Sequence, residues 1–257
     1  MLVSDRMEKL EDLKQKIRGC KKCRLWETRI NALPGEGNYD ARVMMVAQAP
    51  GENEDRDGRM FIGPSGKQLD ELLQEADVSR QEIYVTNLVK CMLPKYRKPK
   101  QDEIQACAQH LDEEIRLINP SVIATLGYYA KRHIFDKYQI QPPNTQPKMK
   151  KYGTLLLADN RKILPLRHPA ALLYNDSLKE EMTENYRKLK TLMAECKWFS
   201  CCPMKRFYEE GRIHKRWIEL YCKGDWKSCV RYHMEEKGEP HPDWMLPDGS
   251  LNESLTG

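Results

Sequence analysis

The stretch that most restricts the fold of this chain runs from Val43 to Phe61, VMMVAQAPGENEDRDGRMF. A continuous apolar run, Val43–Ala47, breaks at Ala49-Pro50-Gly51, gives way to acids, an amide and an Arg, and closes on Phe61. Such a run suits a strand buried on both faces, and a strand that ends in a Pro-Gly turn and a polar loop belongs to an open α/β sheet. Ligands of such sheets sit beyond the carboxyl ends of the strands, so this loop is expected to wall a site. An ordinary strand-to-helix loop is the competing reading. Two partial motifs within reach of the loop fail. Asn53-x-Asp55-x-Asp57-Gly58 begins like a calcium loop but has Pro64 where the closing Glu belongs. Gly63-Pro-Ser65-Gly66-Lys67 lacks the leading Gly and the final hydroxyl of a phosphate loop.

A chain of 257 residues suits one medium domain, alone or with a small appendage. Its 40% hydrophobic content supplies a core, and a net charge of +5 permits an anionic partner without requiring one. No apolar run approaches a membrane span, and MLVSDRMEKLEDLK reads as a charged helix rather than a signal, so a cytoplasmic protein is expected. Nine cysteines are an odd number, and reducing compartments disfavour disulfides, so ligation of a metal or cluster explains at least some of them.

Met7, Leu10, Leu13 and Ile17 recur at helical spacing before Gly19, and Cys20-Lys-Lys-Cys23 follows. A helix is expected over 65–76, with Ser65 as N-cap and Leu69, Leu72, Leu73 and Ala76 inward. The N–H groups around Ser65 and Gly66 could hold a phosphate, or simply begin a capped helix. The second strand, from Ile83, reaches Asn87 at its carboxyl end, where an amide can read the edge of a base or form a turn. Lys90, Lys95, Arg97, Lys98 and Lys100 then surround Tyr96 and two prolines. That run suits a nucleic-acid backbone, or is a solvated charge run. A helix over 101–118 turns Ile104, Cys107, Leu111, Ile115 and Ile118 to one face.

Cys20, Cys23, Cys91 and Cys107 thus comprise a close pair, a thiol after a strand and a thiol on the next helix. Zinc sites commonly pair both halves at short spacing. The wide split here suits an iron–sulfur cluster better. Further strands are expected over 121–127 and 163–166, with an extra edge strand over 154–158. A Pro-rich surface loop, QPPNTQPKMKKYG, brings more cations at 148–151. After the last core strand comes Arg167-His168-Pro169-Ala170-Ala171-Leu172-Leu173-Tyr174. An imidazole there can donate to a developing negative charge, and an apolar wedge beside it is a device for prising bases apart.

The Pro-Gly loop ending in Phe61, the strand-end Asn87, the His168-Pro-Ala-Ala-Leu172 run and the four cysteines together resemble the family 4 (iron–sulfur) uracil-DNA glycosylases over about residues 7–193. The resemblance implies a three-layer α/β/α domain around a central four-stranded parallel sheet. It implies removal of uracil from single- or double-stranded DNA and a structural [4Fe–4S] cluster on Cys20, Cys23, Cys91 and Cys107. It further implies that Phe61 stacks on the flipped uracil, Asn87 reads its polar edge and His168 bonds its O2. Glu54 would lie near the sugar, with Gln48, Ala49 and Gly51 in the pocket wall. Leu172 and Leu173 would fill the gap in the duplex, and Ser65, Gly66, Lys95, Arg97 and Lys98 would meet the backbone. The family's loop usually begins Gly-Glu, whereas Ala47-Gln48 stands here. Position 49 is Ala where another branch carries a water-activating Asp, which family 4 also lacks.

Beyond about residue 195 the character changes, and residues 196–257 are expected to form a Cys- and Trp-rich helical module. Residues 205–221 read as a helix pair or one helix broken at Gly211, and the stretch from 238 is expected to drape over the surface. Cys201, Cys202, Cys222 and Cys229 are candidates for a second metal; a small hydrophobic module with free thiols is the other reading. Three functions compete: the glycosylase, a non-catalytic iron–sulfur DNA-binding or damage-sensing protein, and a regulatory protein working through the tail. A monomer is expected, with a replication or repair protein as a possible partner.

Overall fold

The computed structural model describes residues 3–140, 152–158, 161–193, 196, 198, 199 and 201–256. Helix α1 (Val3–Arg18) opens the chain. Strands β1 (Glu36–Gly37), β2 (Val43–Ala47), β3 (Ile83–Asn87), β4 (Val122–Leu126), β5 (Leu156–Ala158) and β6 (Arg161–Leu166) form one sheet in the order β1-β3-β2-β4-β6-β5. The expected sheet of four parallel strands is therefore only its centre: β3-β2-β4-β6 run parallel, and β1 and β5 add antiparallel edges, making six. Residues 154–158 were expected to add an edge strand, and β5 occupies Leu156–Ala158. Two residues at β1 are too short to leave an alternation signal.

Helices α2 (Glu52–Asp57), α3 (Pro64–Glu75), α4 (Gln101–Ile118), α5 (Tyr128–Lys137) and α6 (Lys179–Met193) connect and cover the strands. Side chains alternate across a strand. Val43, Met45 and Ala47 accordingly pack with Leu69, Leu72 and Leu73 of α3 and Tyr186 and Leu189 of α6. Met44 and Val46 pack the other way, with Leu10, Leu13 and Ile17 of α1, Leu111 and Ile115 of α4, and Ile134 of α5. The result is the expected three-layer α/β/α arrangement. Met7, expected inward, is 41% exposed. The acidic part of the Val43–Phe61 loop is itself the helix α2. Helix α3 is capped by Gly63 with Pro64 in its first turn, so Ser65 is a first-turn residue and not the N-cap.

Lys90, counted from sequence among the solvent cations, is 1% exposed. Its Nζ donates to Glu114 Oε2 at 2.6 Å, Thr86 Oγ1 at 2.6 Å and the Asn87 carbonyl at 2.7 Å. Glu114 also accepts from the Gly35 N–H at 2.8 Å. A buried charge persists only when paired and hydrogen-bonded in this way. The network ties the tip of β3 to α4.

In the C-terminal segment, α7 (Pro203–Glu209) ends before Gly211 (φ 71°), a π-helical turn spans Ile218–Cys222, and α8 (Val230–Lys237) follows. The expected break at Gly211 is present. The stretch from 238 does more than drape: Leu246 and Leu255 are buried with Met204, Phe207 and Ile218, and Met245 pairs with Leu251. Apolar residues spaced widely in a Pro/Gly-containing stretch have no periodicity to reveal them. This segment touches β6, where a Cβ at Gly224 would lie 2.2 Å from Lys162 Nζ. Lys162 is 1% exposed, and its Nζ has no hydrogen-bond partner among the described residues. Burial pushes its pKa down to about 8, against the opposing effect of Asp225. The folded state then releases the proton before the unfolded state does, so stability rises from about pH 8 to 10.5. Lys162→Met is expected to raise stability at pH 7 by about 1 kcal/mol, because it removes an unsatisfied buried ammonium, and to abolish that alkaline slope in denaturant titrations.

Candidate active site

Parallel strands bring all their carboxyl ends to one edge of the sheet. Ala47 is in register with Asn87, and Leu126 with Leu166, so the loops after β2, β3 and β6 rise side by side. Between them lies a cavity of about 330 Å³. Phe61, Asn87 and His168 all line it, as do Gln48, Ala49, Gly51 and Glu54. Residues far apart in the chain thus meet in one hollow.

Asn87 is 2% exposed, and its Nδ2 rests 3.4 Å from Met60 Sδ, a weak acceptor that a better one can displace. His168 Nδ1 accepts from the Ala170 N–H at 3.2 Å. That bond leaves Nε2 as the proton-bearing nitrogen of the neutral ring. Enclosure by protein lowers the pKa of His168 to about 4, so at neutral pH it is an uncharged donor. Its ring lies 6.1 Å from that of Phe61, at 27°. Glu54 is buried, and its Oε1 accepts from the Gly63 N–H at 2.8 Å, which anchors the carboxylate at the cavity wall.

Phe61 has φ 55°, a left-handed conformation costing about 1–2 kcal/mol in a non-glycine residue. Its surroundings impose it. A Cβ on Gly66 would lie 1.8 Å from the Phe61 carbonyl oxygen, so only glycine permits the approach of α3 to this turn. Arg80 donates from Nη2 to that same carbonyl at 3.0 Å and to the Gly66 carbonyl at 3.2 Å. It also stands 5.6 Å over the Phe61 ring and pairs with Asp70. Nothing in the sequence marks Arg80, because the atoms it holds at this turn are backbone carbonyls. As a positioning residue, Arg80→Ala is expected to lower turnover at this site about tenfold, the equivalent of one or two lost hydrogen bonds. The loss should fall on kcat more than on KM, and Arg80→Lys should recover part of it; an unchanged kcat would remove Arg80 from this role.

The residues expected to meet DNA divide. Ser65 lines the cavity, whereas Gly66 is buried beneath Phe61. Lys95 and Lys98 are exposed beside the mouth. Arg97 lines the cavity but is held by Glu103 in a two-pronged pair at 2.8 and 2.6 Å. Residues 148–151 lie outside the described residues. A 3-10 turn over Pro169–Leu173 sends Leu172 onto the core and leaves Leu173 43% exposed at the cavity. Two aromatics not singled out from sequence for this role stand beside it: Tyr174, 89% exposed, and Tyr96, 74% exposed, whose hydroxyl bonds Glu52 at 3.0 Å. Lys95 and Tyr96 both have φ above 50°, so the loop at the mouth is strained.

Cys20, Cys23, Cys91 and Cys107 line one small cavity on the α1–α4 side of β3. The Arg29 guanidinium donates to Cys91 Sγ at 3.0 Å, and the Lys90 N–H to Cys107 Sγ at 3.2 Å. Burial pushes Cys107 up to about 12 and raises Cys91. Such thiols carry negative charge only where something positive is bound to them. None of the nine cysteines forms a disulfide. Among the described residues, no three His, Cys, Asp or Glu side chains close on a position for a single ion.

Three layers, with an Asn, a His and a Phe brought to one cavity at the strand ends, define an α/β protein with its site beyond the sheet's carboxyl edge. The chain belongs to the uracil DNA glycosylase superfamily, whose pattern matches residues 34–190. It is similar to the type-4 uracil-DNA glycosylase of Sulfurisphaera tokodaii, 40% identical over 188 residues, covering 72% of this chain and 86% of the relative. The type-4 uracil-DNA glycosylase of Archaeoglobus fulgidus is 35% identical over 190 residues, 74% of this chain and 96% of its own. A type-5 uracil-DNA glycosylase of Pyrobaculum aerophilum is more distant, at 28% over 185 residues. Among the described residues, no helix is long and apolar enough to cross a membrane.

Proposed function

We propose that this chain is a DNA-repair hydrolase that takes uracil out of the helical stack and cleaves its N-glycosidic bond, leaving an abasic site. The observation that carries this is the convergence of Phe61, Asn87 and His168 on one cavity. A base inside a duplex is out of reach, and extruding it costs a few kcal/mol. Leu173, with Tyr174 and Tyr96 beside it, provides apolar and aromatic surface at the cavity mouth to occupy the vacated space, and Lys95 and Lys98 attract phosphates.

Within the cavity, Phe61 offers a ring face to the base and Asn87 pairs with its polar edge. As the C1′–N1 bond breaks, negative charge gathers on the uracil and positive charge on the sugar. The Nε2–H of His168 faces the first, and the Glu54 carboxylate the second. Water adds its oxygen to C1′, and its proton leaves toward the departing base. A neutral imidazole donates here without having to lose a proton of its own.

Cys20, Cys23, Cys91 and Cys107 fit a [4Fe–4S] cluster, since four thiols share one space and protein N–H groups already point at two of the sulfurs. Bound there, the cluster supplies a rigid crosslink between the Cys20–Cys23 loop and the start of α4, behind the wall that carries Asn87. Residues 1–195 are read as the catalytic unit and 196–257 as an appended module, in a monomeric cytoplasmic protein, with a replication or repair protein as candidate partner.

Release of free uracil from labelled oligonucleotides tests the proposal, with U·G, U·A, single-stranded U, T·G and hypoxanthine as substrates. Excision of uracil is expected. Tight binding of the same oligonucleotides without release would instead favour a damage-sensing protein, the reading that the Ala47-Gln48 departure allows.

A further inference from the structure

The C-terminal segment has a cavity of about 170 Å³ that the glycosylase reaction does not use. Cys196, Cys201, Cys202, Cys222 and Cys229 all line it; Cys196, Cys202, Cys222 and Cys229 are spaced as Cys-x5-Cys-x19-Cys-x6-Cys. The backbone holds them together: the Cys196 N–H donates to the Cys222 carbonyl at 2.7 Å, which joins the first thiol to the third across the fold.

A second feature points to an anion in the same space. Arg231 lines the cavity and is 3% exposed. Its Nη1 donates to the carbonyls of Pro242, Asp243 and Met245, but its buried Nε–H has no hydrogen-bond partner among the described residues. The buried indole N–H of Trp226, also in the lining, has none among the described residues either. Buried donors cost free energy unless satisfied, and a buried cation costs more. Four thiolates around a metal carry net negative charge and present sulfur acceptors, which satisfies both. The first cage shows the same device, a guanidinium donating to a cysteine sulfur.

We propose that Cys196, Cys202, Cys222 and Cys229 hold a second metal centre of thiophilic type, neutralised by Arg231 and separate from the cluster on Cys20, Cys23, Cys91 and Cys107. This set differs from the one expected from sequence by one thiol. Cys201 is exposed at the rim with its thiol turned to the Trp198 carbonyl at 3.3 Å, and Cys196 takes its place. The wide split between Cys202 and Cys222 favours an iron–sulfur cluster over one zinc, whose ligands commonly pair at short spacing.

The test is metal and acid-labile sulfide analysis of the full-length protein purified without oxygen, with zinc measured in parallel. The first cage accounts for about four irons per chain. Iron and sulfide in excess of that assign a second cluster, and about one zinc beside it assigns a single-ion site; either upholds the centre. Cys222→Ser and Cys229→Ser are expected to lose the excess alone, and Cys201→Ser to keep it. Wild-type protein with no metal beyond the first cage overturns the proposal, as does Cys201→Ser losing the excess while Cys196→Ser retains it. No arm depends on uracil excision, so the centre and the glycosylase reading can fail separately.

Discussion

Asn87→Ala should abolish uracil excision, with a loss of about 10³-fold or more in single-turnover rate, while duplex binding stays close to wild type. An Asn amide supplies one donor and one acceptor to a base edge, and removing even one donor aimed at developing charge typically costs about 10²–10³ in rate. The fold should tolerate the change. The side chain's hydrogen bond is to Met60 Sδ, and the Asn87 main-chain carbonyl that anchors Lys90 survives in the variant. Excision kinetics on a U·G oligonucleotide, with fluorescence anisotropy for binding, separates chemistry from docking. Excision at the wild-type rate would remove Asn87 from the mechanism.

His168→Ala is the second large effect expected, a slowing of about 10²–10³-fold in single-turnover excision with a smaller loss of affinity. Equal losses in rate and binding would refute a role in stabilising the departing base. The pH dependence is specific. Burial holds His168 near pKa 4, so its donor stays neutral through the range where an ordinary histidine titrates. The acid limb belonging to this residue should therefore lie near pH 4 and not near 6.5. The unfolded chain binds this proton more readily than the folded one. Stability is consequently lost as pH falls from about 6.5 toward 4, and the His168→Ala variant should lack that part of the acid slope in urea titrations.

Some of this was legible from residues alone because the cause is local. The spacing of Cys107, Leu111, Ile115 and Ile118 defines α4 with its bounds at Gln101 and Ile118. Asn87 and His168 follow apolar runs directly, so their place at strand tips could be read off. The rest depends on partners distant in the chain. Lys90 looks like a solvated cation until Glu114, one layer away, is seen to receive it. Arg97 reads as one cation of a basic run, and only the structure shows that Glu103 pairs with it at the cavity. Leu172 and Leu173 are neighbours of identical chemistry, and only the 3-10 turn sends one inward and the other out. Cys201 and Cys202 are likewise adjacent, and only the tertiary packing leaves Cys201 exposed and sets Cys202 against the Met204–Phe207 core.

The order of short apolar runs and amphipathic helices, written in the chain, determined an α/β sheet with its functional residues at the strand ends, because burial on both faces and the two periodicities are set within a few residues. The tertiary structure alone decided that Phe61, Asn87 and His168 share one cavity, that Arg80 and Gly66 force the Phe61 turn, and that the sheet gains two antiparallel edges. Contacts between residues tens of positions apart leave no periodicity and no spacing; they exist only once the layers have closed on one another.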